Sequence, residues 1–203
     1  MTIRKGEEWG TLQPPDHPVL VESDRALAHA FTAGAAVDAV FGLAGGDLMR
    51  TLGGAADASR LVGTEPIPHL PVDVVRVIID DDRDELFVAH LVARNSWWRG
   101  RLVAAMNAQF IGDWDVAPRS HPNDGRVDVV DVAASIGVQQ RWIAARRVKL
   151  GTHVPHPAIS IVQRASAVIE LDRPSAIWLD GERCGTARRL ELTVVPDALT
   201  VCV

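Results

Sequence analysis

Cysteine is nearly missing: Cys184 and Cys202 are the only two in 203 residues. That is too few for a disulfide framework, and a reducing, cytoplasmic setting is expected. Long apolar runs are missing as well. No stretch approaches the roughly 18 uncharged apolar residues that a membrane-spanning helix needs, so any contact with lipid is expected to be peripheral. The opening residues, MTIRKGEEWG, have no apolar run of the secretion-signal kind. Basic excess is absent too. The net charge of -5 argues against general nucleic-acid binding. What is present is 47% hydrophobic and 23% charged residues, the balance of an ordinary globular protein. The length suits one sizeable core, or one core with a small appendage.

The chain is organised around Met106–Val132, MNAQFIGDWDVAPRSHPNDGRVDVVDV. Pro118, Pro122 and the Asn123-Asp124-Gly125 run forbid a helix in its middle and favour a tight reversal. WDVAP before the reversal and RVDVVDVA after it read as strands. In the second, Val127, Val129 and Val132 are interrupted by Asp128 and Asp131, as in a half-buried strand. An Asn-Asp-Gly turn also offers a carboxylate beside free carbonyls, which suits Ca²⁺ or Mg²⁺, although most such turns are plain hairpin tips.

Before this stretch, residues 1–18 read as an irregular arm and Val19–Glu22 as a short apolar step. Ser23 is a plausible N-cap for the helix DRALAHAF. Ala39–Leu43 then reads as a strand, Ala44–Gly46 as a glycine turn and Asp47 as a helix start. Such a joint directs N–H groups of Gly45, Gly46 and Asp47 toward one point and suits a phosphate, though many glycine turns feed helices with no ligand. VDVVRVIID and ELFVAHLVARN predict a hairpin around a charged tip, with Asp80, Asp81 and Asp82 better read as loop than as metal cluster. In SWWRGR, adjacent tryptophans on a strand would face opposite ways, one buried and one exposed or covered by a partner.

Beyond the central reversal, SIGVQQRWIAARRVKLG predicts a helix with Ile136, Gln140, Ile143 and Val148 as its stripe and Gly151 as its stop. Arg141, Arg146, Arg147 and Lys149 complement its dipole or meet anionic lipid. His153 and His156 lack a third ligand nearby, which argues against zinc. HPAISIVQRASAVIELD, AIWLDGERC, LELTVVP and ALTVCV predict return strands. Asp180-Gly181-Glu182 follows one of them, so a turn there would leave two carboxylates at one edge.

Asn107, Gly112, Ala117, Pro118, Asp124, Gly125, Val127, Asp128 and Val129 match a pattern that recurs in the C-terminal half of diacylglycerol and related lipid kinases. The chain resembles that half over most of residues 70–203. The resemblance implies a fold of α/β (α+β) class, mostly an antiparallel β-sandwich, with residues 1–69 forming an arm and a small α/β appendage. GGDLMRTLGG at 45–54 resembles the family's GTGNDFAR motif, and GGD at 45–47 imitates GGDGT less well. On this alignment most of the ATP-binding half is missing and ATP binding is doubtful.

The resemblance also implies roles. Asp180 would be the general base toward a lipid hydroxyl, with Glu182 assisting and Asp47 facing the same cleft. A structural Mg²⁺ would sit on Asp124 and the carbonyls of His121 and Arg126, weakened by Asn123 in place of a first Asp. Three functions follow. The first is a lipid-kinase-like protein that binds a lipid, amphiphile or partner without autonomous kinase activity. The others are an ATP-dependent lipid phosphotransferase completed by a second chain, in a homo- or hetero-oligomer, and a structural or regulatory domain.

Overall fold

The computed structural model describes residues 9–34, 39–149, 151 and 156–203. Valine and isoleucine dominate the long strands, where β-branched side chains fit a pleated surface buried on one or both sides. Strand β4, Ile67–Ile79, is buried at eight of its last nine apolar-rich positions or half-buried there, with only Arg76 fully exposed between Val75 and Val77. It reverses at Asp80–Asp82 into β5, Arg83–Phe87, with Ile79 paired to Arg83. Asp80 and Asp81 take positive φ there. Asp80 accepts the backbone N–H groups of Arg188 and Arg189, and Asp81 pairs with the Arg189 guanidinium. The acidic run is therefore a hairpin tip held by arginines.

ELFVAHLVARN is not one strand. It breaks after β5 and resumes as β6, His90–Arg94, which leaves β4 and pairs with β7, Leu102–Met106, and with β12, Ser166–Leu179. SWWRGR is a bend between β6 and β7 rather than a strand. Trp97 packs edge-on against Trp114 at 5.0 Å, while Trp98 stays 43% exposed, so one ring is covered and one is not.

The central stretch also differs from the simple reversal. Phe110–Ile111 (β8) and Trp114–Asp115 (β9) form their own two-stranded hairpin. WDVAP therefore does not pair with β10, Val127–Val132, which lies between β7 and β11, Ile159–Arg164. Pro118 and Pro122 keep the intervening chain out of any ladder.

β12 turns at Asp180-Gly181, both with positive φ, into β13, Glu182–Cys202. LELTVVP and ALTVCV are one strand, interrupted only by a register shift between Val195 and Leu199 that accommodates Pro196. β13 pairs with β12 and β4, and its end runs parallel to β3, Val40–Leu43, which in turn runs parallel to β2, Val19–Val21. Within the arm, Thr11–Gln13 (β1) pairs with β4. Among the described residues, eleven strands thus share one sheet, which crosses the boundary at residue 70 without interruption. The expected mostly antiparallel sandwich and its small α/β appendage are both present.

One core lies inside the sandwich around Phe87, Leu91, Ile177 and Leu190. A second seats helix α1 (Asp24–Thr32) and helix α2 (Asp47–Thr51) on the ends of β3, β4 and β13 through Leu27, Phe41 and Leu48. The Ser23 hydroxyl caps α1 by accepting the Ala26 N–H. A third core covers the outer face of β6, β7 and β10 with the β8–β9 hairpin and helix α3 (Val138–Val148). The stripe of α3 is not the expected one. Arg141 and Val148 are buried, while Ile143 is 40% exposed and Gln140 is exposed. The Gly151 N–H does bond the Val148 carbonyl and Gly151 takes positive φ, a helix stop as expected.

Asp73 in β4 anchors the central loop from inside the protein. Its buried carboxylate accepts the Gly125 N–H at 2.7 Å, the Asp197 N–H at 3.0 Å and the Asn123 amide at 3.4 Å. Replacing it orphans two backbone donors. Asp73→Ala is expected to lower unfolding stability by ~3 kcal/mol in urea titrations, far more than a surface substitution.

Candidate functional site

Three consecutive N–H groups mark the break between β5 and β6, where neither neighbouring strand can take them. Asp180 takes all three: Oδ2 accepts from Val88 at 3.0 Å, and Oδ1 accepts from Ala89 at 2.8 Å and His90 at 3.0 Å. Asn107 braces the same break from the other side. Its amide donates to the carbonyls of Val88 and Asp73, and its own N–H bonds the Ala89 carbonyl. The side chain of His90 then points to Asp47, with Nε2 and Oδ2 3.0 Å apart. Asp47 Oδ1 accepts the Gly112 N–H at 2.9 Å, which ties α2 to the β8–β9 hairpin.

A fourth member completes the cluster. Asp24, buried at the start of α1, accepts the N–H groups of Asp47 at 2.6 Å and Leu48 at 3.1 Å. It therefore caps α2 from a distance of 23 residues in sequence. Gly46 makes this possible. Its φ is +101, and a Cβ there would lie 2.3 Å from Asp24 Oδ1. A Cβ on Gly45 would meet the Glu22 carbonyl at 2.5 Å. The glycine pair thus serves close approach within the protein, and the two first-turn donors of α2 are already engaged. The joint does not fit a phosphate cradle, because an anion placed there would face Asp24.

The electrostatics follow from putting three carboxylates and one imidazole in a dry place. Burial, reinforced by the charge of Asp180, pushes the Asp24 carboxyl up to about 7 against the two N–H bonds that favour its anion. Burial also raises Asp180, opposed by His90 and the three backbone donors. Burial alone would lower His90. Its hydrogen bond to Asp47 and the charges of Asp180, Asp47 and Asp24 outweigh that and hold it above its ordinary value. His90 Nδ1 is buried with no partner. The cluster can hold protons and share them between groups.

The anticipated residues are thereby sorted. Asp180 and Asp47 come together on either side of His90. Glu182 does not join them: its side chain is 62% exposed and leans to Arg25, with 3.8 Å between Nε and Oε2. At the central loop, Asp124 accepts the Arg126 N–H at 2.9 Å in a tight local turn. Burial raises it to about 6, helped by Asp128 and Asp73 and opposed by the Arg126 N–H. The His121 Nδ1 accepts the Asn123 N–H. Asn123 spans Asp73 and Asp197 with amide hydrogens. Among the described residues no group of three or more His, Cys, Asp or Glu is arranged to hold a metal. One carboxylate already bonded to its own loop is a poor fit to the several oxygens Mg²⁺ demands. His156 bonds the Ala158 N–H, and His153 lies outside the described residues.

A second feature lies on the far side of the β8–β9 hairpin. Trp97, Trp114, Val116, Ala145, Val148 and Ile159 are among the residues lining an apolar cleft of about 750 Å³, open mouth included, between α3 and the sheet. Among the described residues its only charged lining residue is Arg141. Ile111 lines this cleft, and its neighbour Gly112 binds Asp47, so one hairpin separates the cleft from the carboxylate cluster.

The family description of the YegS C-terminal NAD kinase beta sandwich-like domain matches residues 70–203. The chain belongs to that family. No curated protein matches it. Among solved structures, a diacylglycerol kinase from Bacillus anthracis str. Sterne is similar at 15% identity over 90% of this chain and 74% of that one, with a TM-score of 0.63. Two further Bacillus anthracis proteins, provisionally assigned as diacylglycerol kinases, give TM-scores of 0.66 and 0.65 at 13% and 14% identity. Each pairs 90% of this chain with 76% of the other. At such identities the likeness establishes a diacylglycerol-kinase-like fold. Two members of the cluster escaped the sequence reading. His90 sits inside an apolar run and looks like a core residue, and Asp24 looks like an ordinary first-turn acid after Ser23. The available signal was their polarity at positions where the strand and helix patterns ask for burial.

Asp24 and Asp180 are held above their ordinary values, so the folded state binds more protons than the unfolded one between about pH 4 and pH 7, and the raised His90 extends the trend above about pH 6.5. Stability should fall as pH rises through that window, by up to ~4 kcal/mol for Asp24 if it titrated alone. Thermal melts at both ends of the window should therefore show a shallower decline in Asp24→Asn than in the parent. An unchanged slope would remove Asp24 from the coupled cluster.

Proposed function

We propose that this protein binds an amphiphile, with the hydrocarbon portion in the cleft beneath α3, and does not by itself phosphorylate it. The observation that carries this reading is the cleft. Tryptophan, valine, isoleucine and alanine line it almost throughout, a lining whose chemistry suits a hydrocarbon chain rather than a nucleotide. That similar structures are named diacylglycerol kinases supports an occupant of lipid character. The engagement of the α2 donors by Asp24 supports the second half of the reading, since positioning of phosphate supplies most of the catalysis in phosphoryl transfer.

One observation favours a different reading, a phosphotransferase acting on a lipid hydroxyl and completed by a second chain. Asp180, His90 and Asp24 are held above their ordinary values, and His90 bonds Asp47, as a general base and its supports would be arranged. In that case Asp180 is the base, and Glu182 contributes through Arg25 rather than directly.

The chain has six tryptophans and no tyrosine, and three of the six line the cleft, so fluorescence reports on it directly. A brominated fatty acid or diacylglycerol should quench that emission. Ala145→Phe, which fills the cleft, should weaken quenching by an order of magnitude or more, on the scale of a lost apolar pocket. Quenching that is unaffected by Ala145→Phe, or absent from the parent, would sink the amphiphile reading. ATP- and Mg²⁺-dependent incorporation of phosphate into lipid, lost in a folded Asp180→Asn variant, would establish the phosphotransferase instead.

A further inference from the structure

Arg94 is a cation without an anion. Its guanidinium lies 4.1 Å from the ring centroid of Trp97 and 4.8 Å from that of Trp178, so two indoles pack on it. Comparable arginines are compensated: Arg25 meets Glu85, Arg101 meets Asp131, and Arg141 donates to the carbonyls of Trp97 and Ala133. The Arg94 Nε is instead buried with no hydrogen-bond partner. Burial, with no carboxylate to oppose it, pulls this guanidinium below its ordinary value. Trp178 repeats the pattern, since its Nε1 is also buried and unpartnered. Among the described residues, two buried donors side by side thus lack an acceptor.

The strand register puts these donors on a continuation of the cleft floor. Leu102, Val132 and Ile159 line the cleft and stand in one row across the sheet, and Arg94 follows Leu102 in that row. In the neighbouring row Ala104 and Val130 line the cleft, and Val92 and then Trp178 continue it. Directly paired residues project from the same face of a sheet, about 5 Å apart. Trp97 joins the two features, for it lines the cleft and its ring carries Arg94. A hydrocarbon chain in the cleft therefore has a polar terminus within reach on the β6 side.

We propose that the ligand of this cleft is an amphiphilic carboxylic acid of the fatty-acid class, its carboxylate received by Arg94 and Trp178. Resting on the amphiphile reading of the cleft, this names the head as well as the tail. A guanidinium packed on aromatic rings keeps its N–H edge for a planar acceptor, and a carboxylate presents two oxygens to that edge. The indole N–H of Trp178 can add a further donor. A neutral head, such as the hydroxyl of diacylglycerol, would leave the cation desolvated without a counter-charge. Charge complementarity thus selects the acid over its neutral esters.

The test titrates the full chain with dibrominated stearic acid and with its methyl ester, at a pH where the acid is ionised. Tryptophan quenching gives the dissociation constant of each. The acid should bind at least about tenfold more tightly than the ester, as hydrogen bonds to an ionised group allow. Arg94→Gln should bring the acid down to the affinity of the ester, and Arg94→Lys should restore part of the preference. Ala145→Phe should weaken both ligands, because it fills the cleft and leaves Arg94 in place. Two results would overturn the assignment and spare the cleft: equal affinity of the parent for acid and ester, or a full acid preference in a folded Arg94→Gln variant. Binding of neither ligand would sink the amphiphile reading and the acid head together. The comparison within the parent decides even where a variant fails to fold.

Discussion

Where β5 stops and β6 starts, three successive backbone N–H groups converge, and the carboxylate of Asp180 receives them all. An uncompensated set of that kind inside a protein would cost several kilocalories per mole. The chain can therefore leave the β4 side of the sheet and cross to β7 only because a residue some ninety positions later supplies the acceptor. Once the crossing is fixed, His90 has a fixed direction, Asp47 has a partner, and the N-terminus of α2 is set against Asp24. Sandwich architecture and the polar cluster are thus consequences of one anchoring contact. The same carboxylate is the one that the kinase resemblance would make a base, and what the structure gives it is this anchoring role.

Much of this could be read in advance because it was written locally. Ser23 before DRALAHAF, the glycines at 45 and 46 before Asp47, and the Asp180-Gly181 turn each declare themselves within a few residues, and each stands where expected. Asn107 through Val129 gave the kinase-like domain through residue order rather than periodicity. What stayed hidden is non-local. Nothing in ELFVAHLVARN marks its break, since no glycine or proline stands there and the groups that hold it, Asp180 and Asn107, are distant in sequence. Arg141 reads as a surface cation on any helical wheel, yet four carbonyls from two segments take it inside. Gly46 suggested a phosphate because such glycines admit anions; the anion it admits is Asp24.

The cleft and the cluster lie back to back, with the β8–β9 hairpin between them. Ile111 and Trp114 serve the apolar side, while Gly112 serves the polar side through its N–H to Asp47. The hairpin has only two residues in each strand and is braced by Arg50 stacked on Phe110. Movement there would alter both environments together. An occupant that displaces Ile111 would also disturb the Gly112–Asp47 hydrogen bond beside His90.

β13 has 21 residues and pairs with β12, β4 and β3, so the strand that unites the sandwich with the N-terminal helices is the last one in the sheet's order of synthesis. Thr200 must find Val40 across most of the polypeptide. Topologies of this kind close large loops before they gain contacts, and they fold slowly. Until β13 arrives, β4 and β12 wait with open hydrogen-bonding edges, which makes the interval before its emergence the time when this chain is most exposed to pairing with the wrong strand.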